Sequence, residues 1–182
     1  KDKIAIAKLI DDLGVAYIEG GWPGASPKEE EFFETAKSEL NLKNAKLVSF
    51  GSTRKLDLPV EDDPQVKALV DSGTDYVCIV GKSSKLHITK ALQTDVESAI
   101  DMAVDTILYL KSKGKKVFFD AEHFFDGYKE DSVTSLKILE AVISAGTDCF
   151  IFCDTNGGTL PEEVRKVLTK IIDKYPKTNF GV

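Results

Sequence analysis

The chain has 182 residues, with 24 Lys and Arg against 30 Asp and Glu, a formal net charge of −6. An acidic chain of this size argues against nucleic acid or an anionic membrane as the main partner, while leaving room for a local basic pocket around a phosphorylated cofactor. No apolar run approaches the roughly 20 residues of a membrane helix, and no signal peptide is visible.

Taken in order, the chain opens on a helical pattern in which Ile6, Leu9, Ile10 and Leu13 share one stripe, expected to pack onto a sheet. Val15-Ala-Tyr-Ile18 then reads as a buried strand running into Glu19-Gly-Gly-Trp-Pro-Gly24, where Trp22 shapes the loop. Ser26-Pro27-x-Glu29 places a hydroxyl at a helix N-cap and a carboxylate three residues on, a capping box. Leu47-Val-Ser-Phe50 leads into Gly51-Ser-Thr-Arg54, and Tyr76-Val-Cys-Ile-Val80 into Gly81-Lys-Ser-Ser84. Thr94-x-x-Glu97 is a second capping box, opening a helix whose stripe is Ile100, Val104, Ile107 and Leu110. Val117-Phe-Phe119 delivers Asp120-Ala-Glu-His123, and Cys149-Phe-Ile-Phe-Cys153 delivers Asp154-Thr-Asn-Gly-Gly158. Thr159-x-Pro161-Glu162 opens a further helix, and a last strand candidate starts near position 178.

The opposite ends of these strands are bland. Leu13-Gly14, Asn44-Ala45, Ser72-Gly-Thr-Asp75, Lys113-Gly-Lys115 and Ala145-Gly-Thr-Asp148 are compact helix-to-strand turns, most with glycine where a C-cap needs a left-handed residue. Strand starts recur about every 30 to 40 residues, one strand-loop-helix-loop unit each. Chemistry at five carboxyl ends, rather than at one switch point, favours a TIM (β/α)8 barrel over a doubly wound sheet. A full barrel needs roughly 250 residues. The chain is therefore expected to be a partial catalytic barrel domain over residues 1–182, about six βα units lacking the first strand and the last units. Cys149 and Cys153 lie about 13 Å apart along one strand at 3.3 Å per residue, too far for a disulfide, so reduced thiols and a cytoplasmic location are expected.

Among the polar residues, Glu19 faces the expected barrel mouth, and strand alternation sends Asp120 and Glu122 to one face and His123 to the other. Glu122 is the stronger candidate for chemistry. Thr155 can hydrogen-bond a carboxylate, whereas Asp154 can touch the site or cap a turn. Arg54 can hold an anion bidentately, or be a loop charge. Lys82, Ser83 and His87 belong to a basic, hydroxyl-rich loop suited to phosphates. With two histidines, a three-histidine zinc site cannot be built, and no residue is assigned as a metal ligand.

Ile18-Glu-Gly-Gly-Trp-Pro-Gly24 resembles the second-strand motif of the 2-isopropylmalate, homocitrate and citramalate synthase family, whose barrel is shared with 3-hydroxy-3-methylglutaryl-CoA lyase. Asp120-Ala-Glu-His-Phe-Phe-Asp-Gly-Tyr128 and Cys153-Asp-Thr-Asn-Gly-Gly-Thr-Leu-Pro161 look closer to the (R)-citramalate branch. The resemblance spans essentially the whole chain. It implies an acyltransferase that condenses acetyl-CoA with pyruvate to (R)-citramalate and CoA, in isoleucine biosynthesis. The alternatives are a related 2-isopropylmalate or homocitrate synthase, an acyl-CoA lyase, or a non-catalytic barrel fragment. By resemblance Glu122 and Glu19 are catalytic, with Glu122 the base or its orienter, and Thr155 binds the pyruvate carboxylate; Asp154, Arg54, His123 and Asn156 are expected as further substrate contacts from their places at the strand ends. Lys82, Ser83 and His87 are assigned to the cofactor acetyl-CoA. The family pattern also implies a divalent cation (Mg, Mn or Zn) and a homodimer; it places the metal ligands on the aspartate of an Arg-Asp pair expected upstream of Lys1, whose arginine polarises the keto oxygen, and on a His-x-His pair expected beyond Val182.

Overall fold

The structure, a computed structural model, describes residues 2–182. Six strands alternate with helices: α1 (Asp2–Asp12), β1 (Tyr17–Gly21), α2 (Pro27–Glu39), β2 (Lys46–Ser52), α3 (Pro64–Asp71), β3 (Tyr76–Lys82), α4 (Lys85–Lys90) and α5 (Val96–Ser112). Then follow β4 (Lys116–Glu122), α6 (Phe124–Glu130), α7 (Ser132–Ser144), β5 (Cys149–Phe152), α8 (Pro161–Lys174) and β6 (Phe180–Gly181). All neighbours pair in parallel and the spatial order is β1-β2-β3-β4-β5-β6. Because each strand adds beside its predecessor, the order never reverses and there is no switch point. The sheet is a curled half of a (β/α) barrel, as the one-sided loop chemistry predicts.

The helix-to-strand turns close as their glycines dictate. At the end of α7, Gly146 takes φ +87°, which lets its N–H reach the Ile143 carbonyl at 2.9 Å and Thr147 N reach the Val142 carbonyl at 3.4 Å. A left-handed residue here satisfies carbonyls the helix leaves bare.

The period-2 pattern sorts each strand into two faces. On the helix side Val77, Ile79, Val117, Phe119, Ala121, Phe150 and Phe152 are buried against Leu69, Ile107, Leu110, Ile138 and Leu139 from α3, α5 and α7. Burying each such Phe or Leu contributes about 1.5–3 kcal/mol. Phe119 and Phe150 stack across the β4/β5 pair at 5.7 Å, and Gly81 on β3 is bare because a Cβ there would collide with the Phe119 ring. The other face carries Tyr17, Glu19, Tyr76, Cys78, Phe118, Asp120 and Glu122 into the barrel lumen. No helix among the described residues is long and apolar enough to cross a membrane.

Two expectations about helices need correction. The α5 stripe holds, with Ile107 and Leu110 fully buried. In α1, however, Ile6, Leu9 and Leu13 are 53%, 68% and 79% exposed, and the buried positions are Ile4, Ala7 and Asp11. The Asp11 carboxylate accepts backbone N–H groups from Lys43 (2.7 Å), Asn44 (2.9 Å) and Ala45 (2.6 Å). That clamp turns the 4/7/11 face of the helix inward, with Ile4 packing in the cluster of Phe32, Phe33 and Ala36 from α2. Two capping boxes shift by one residue. Asp95, not Thr94, caps α5 through Ser98 N at 2.8 Å. Thr159 spends its hydroxyl on Asp154 at 2.8 Å, so α8 starts from Leu160, whose N–H is caught by Glu163 at 3.1 Å. Ser26 caps α2 as its motif predicts, although Glu29 reaches Lys3 at 2.6 Å instead of closing the box.

Candidate active site

The lumen face is layered by strand alternation. Tyr17 on β1, Tyr76 on β3 and Phe118 on β4 form an aromatic floor with ring centroids 5.0–5.7 Å apart. Two residues further along the same strands stand Glu19, Cys78 and Asp120, each offering one donor atom within 4.8 Å of the other two. Cys78 is fully buried. Asp120 Oδ1 is buried without a hydrogen-bond partner. Burial first, and then the nearby Glu19, raise the Asp120 carboxyl above its ordinary value, with the neighbouring Cys78 thiol acting in the opposite sense. Burial, with Asp120 and Glu19 beside it, pushes the Cys78 thiol far up. Just past the end of β5, the Cys153 thiol is raised to about 12 by burial and then by Asp120, Glu122 and Glu19.

Above this layer lies the mouth. Lys82 and Glu122 are register partners at the ends of β3 and β4, and their side chains form an ion pair. Ser83, fully buried, donates its hydroxyl to the Glu122 carbonyl at 2.7 Å, and its own carbonyl accepts from Ser135 Oγ at 2.9 Å. Its hydroxyl thus fixes the Glu122 backbone. His123 leaves the strand with φ +56°, a left-handed conformation uncommon for a non-glycine residue, at the N-cap of α6. The bend seats the imidazole flat on His87 from α4, with centroids 3.8 Å apart. Both Nδ1 atoms are buried without hydrogen-bond partners, and burial and the neighbouring His123 lower the His87 pKa.

The β5 loop joins this mouth through Thr155, whose Oγ1 accepts the His123 N–H at 2.8 Å while the residue stays exposed. Asn156 donates to Asp126 at 2.7 Å. Asp154 turns the other way: its carboxylate accepts from Thr159 Oγ1 (2.8 Å) and Thr159 N (3.0 Å), bonds that hold it below the usual carboxylate range. It closes its own loop. Arg54 is equally committed elsewhere. Its guanidinium pairs with Asp105 at 2.7 Å and donates to the carbonyls of Lys55, Leu56 and Leu58, leaving the side chain 13% exposed. Trp22 donates to Gln65 at 2.5 Å and meets Phe50 edge-on.

Glu19, Lys82, His87, Glu122, His123, Thr155 and Asn156 therefore gather at one end of the sheet, while Arg54, Asp154 and Ser83 hold loops and backbone. Sequence reasoning missed the joint layer of Glu19, Cys78 and Asp120, the Lys82–Glu122 pair and the histidine stack. The signal for the first was present, since each member stands two positions beyond an aromatic residue of a strand.

An uninterrupted parallel half-barrel with its polar groups at the strand carboxyl ends is a TIM-barrel enzyme scaffold. Its backbone superposes on the HMG-CoA lyase of Bacillus subtilis with a TM-score of 0.77 at 16% identity, covering 98% of this chain and 59% of that one. The HMGL-like family model matches residues 1–182, and the chain belongs to that family. It is 48% identical over 182 residues to the (R)-citramalate synthase of Aquifex aeolicus, covering 100% of this chain and 34% of the relative. To the 2-isopropylmalate synthase of Methanocaldococcus jannaschii it is 31% identical over 189 residues, covering 100% and 34%. The chain thus spans about a third of the length of the curated relatives it matches.

Proposed function

We propose that the intact protein condenses acetyl-CoA with pyruvate and water to give (R)-citramalate and free CoA, a step leading toward isoleucine, with residues 1–182 as part of its catalytic barrel. The observation that carries this reading is the position of Glu122. It stands at the lumen mouth beside Lys82, in a motif resembling the citramalate branch, and identity falls from 48% to 31% between the citramalate and 2-isopropylmalate synthases named above.

In this reading Glu122 removes a proton from the acetyl methyl group, and the resulting carbanion attacks the ketone carbon of the 2-oxo acid. Water then cleaves the thioester, releasing CoA as the thiol. A poorly acidic methyl needs a fixed base. Lys82 across the strand pair and Ser83 on the Glu122 carbonyl supply that fixation. Thr155, held by the His123 N–H through one lone pair, keeps its hydroxyl proton for the substrate carboxylate. Glu19 orders the network behind the reacting groups. A divalent cation, when bound, supplies Lewis acidity for the developing alkoxide. Among the described residues, Glu19, Cys78 and Asp120 bring one donor atom each within 4.8 Å of one another and would be the ones to hold a cation.

The test is thiol release from acetyl-CoA by the intact enzyme with pyruvate, 2-oxoisovalerate or 2-oxoglutarate. Pyruvate is expected to give the highest kcat/KM. A preference for 2-oxoisovalerate or 2-oxoglutarate would move the protein to the 2-isopropylmalate or homocitrate reading, and no release with any of them would refute condensation.

A further inference from the structure

Residues 83–84, between β3 and α4, are gripped from two sides. Towards the mouth, Ser83 sends both its N–H (3.2 Å) and its hydroxyl (2.7 Å) to the Glu122 carbonyl. Away from it, the Ser83 carbonyl accepts from Ser135 Oγ on α7 at 2.9 Å. Ser83, Ser84 and Ser135 are all buried. The helix α6 closes on the same two residues at Gly127, where a Cβ would stand 2.7 Å from Ser84 Cα and 2.9 Å from the Ser83 carbonyl oxygen. We propose that Ser135 is a positioning residue for proton abstraction by Glu122, acting from α7 through Ser83. The inference rests on the reading of Glu122 as the base and adds to it a residue 52 positions from Ser83 in the chain.

The use of the Ser135 hydroxyl is what singles it out. A buried helical hydroxyl ordinarily bonds back to a carbonyl of its own helix, as Thr106 on α5 does to Met102 at 2.6 Å. Ser135 instead reaches out of α7, among neighbours that are apolar: Ile138, Leu139 and Val142 of the same helix are buried in the core. Its bond fixes a backbone rather than a helix turn.

That backbone controls both ends of Glu122. Ser83 holds the Glu122 carbonyl, and the residue just before it, Lys82, pairs with the Glu122 carboxylate. On the other side the same segment leads into α4, whose His87 stacks on His123, the next residue after Glu122. Freeing the Ser83 carbonyl therefore lets the base and its cation shift together. A base displaced by about 1 Å can cost on the order of 10²-fold in rate.

A double-mutant cycle in the intact enzyme tests this, with kcat and KM for thiol release from acetyl-CoA and pyruvate measured on the unmodified protein, Ser135→Ala, Glu122→Gln and the double variant. Ser135→Ala is expected to lower kcat on the order of tenfold with the pyruvate KM little altered. In the Glu122→Gln background the same substitution should change kcat little, because no base is left to place. Ser72→Ala serves as control: it removes another buried hydroxyl, bonded to the Leu69 carbonyl at 2.8 Å at the opposite end of the strands, and should leave kcat unchanged. An unchanged kcat in Ser135→Ala, an equal fall in both backgrounds, or an equal fall in Ser72→Ala would overturn the proposal. Near-normal kcat in Glu122→Gln would instead remove the base reading, and this inference with it. If Ser135→Ala does not fold, Ser135→Cys, which keeps the size and weakens the donor, goes through the same cycle and is judged by the same outcomes.

Discussion

The two faces of the sheet are made from the same strands, one residue out of phase, and they behave as different materials. On β4, Val117, Phe119 and Ala121 are buried among helix side chains with no polar atom to satisfy. The intervening Asp120 and Glu122 face the lumen, where one carboxylate oxygen is buried without a partner and the other residue is tied to Lys82. The helix face holds the fold by area and shape, so its residues tolerate apolar exchange. The lumen face concentrates groups whose protonation and partners are unfinished, which is where chemistry is done.

That contrast can be broken by substitution. Phe119→Ala should destabilise the protein by about 3–5 kcal/mol through lost burial and a cavity, because its ring stacks on Phe150 and fills the space above Gly81. Urea unfolding measures this, and a loss no larger than that of Phe118→Ala on the lumen face would erase the distinction. Thr155→Val should leave unfolding unchanged yet raise the pyruvate KM by an amount corresponding to about 1.5–3 kcal/mol, the worth of a hydrogen bond to a charged group, with the acetyl-CoA KM little altered. An unchanged pyruvate KM would confine Thr155 to holding the His123 backbone.

A smaller effect concerns acid. Asp11 is held below the ordinary carboxylate value by the backbone N–H groups of Lys43 and Ala45, Asp131 by Thr134 N and its hydroxyl, and Asp154 by the Thr159 hydroxyl and N–H. A carboxylate whose folded value is depressed adds stability above its unfolded value, about 3.9, and loses it as pH falls through the lower folded value. Melting temperature should therefore hold at neutral pH and decline from about pH 4 downward. Asp11→Asn should flatten the decline, and an equally steep one would show that the clamp on residues 43–45 does not carry it.

Much of the fold is legible in the sequence because strand period and turn chemistry are local. Gly14, Gly73, Gly114 and Gly146 all adopt the positive φ that the helix-to-strand turns require; the strands fall near the apolar runs, but β1 starts two residues later than Val15, which is exposed along with Tyr17, and β1 and β4 continue through Glu19–Gly21 and Asp120–Glu122 into what reads as loop. The α1 stripe differs from its sequence pattern because amphipathicity does not say which neighbour a helix meets; the contacts of Asp11 with Lys43, Asn44 and Ala45, 32 to 34 positions away, decide it. Mouth positions such as Glu19, Glu122 and Thr155 were readable from strand ends. The partner of Arg54 was not, since Asp105 lies 51 residues along the chain, and the His87–His123 stack depends on a left-handed backbone that nothing in the local residue types demands.

The division between a packing face and a working face is tested most directly by Glu122→Gln in the intact enzyme, with kcat and the thermal melt measured on the same preparation. The account predicts a kcat lower by on the order of 10²-fold, kcat/KM falling in parallel, and a melt almost unmoved, because a part-exposed ion pair is worth at most about 1 kcal/mol. A kcat near that of the unmodified enzyme, with the melt lowered, would contradict it and make Glu122 a structural residue.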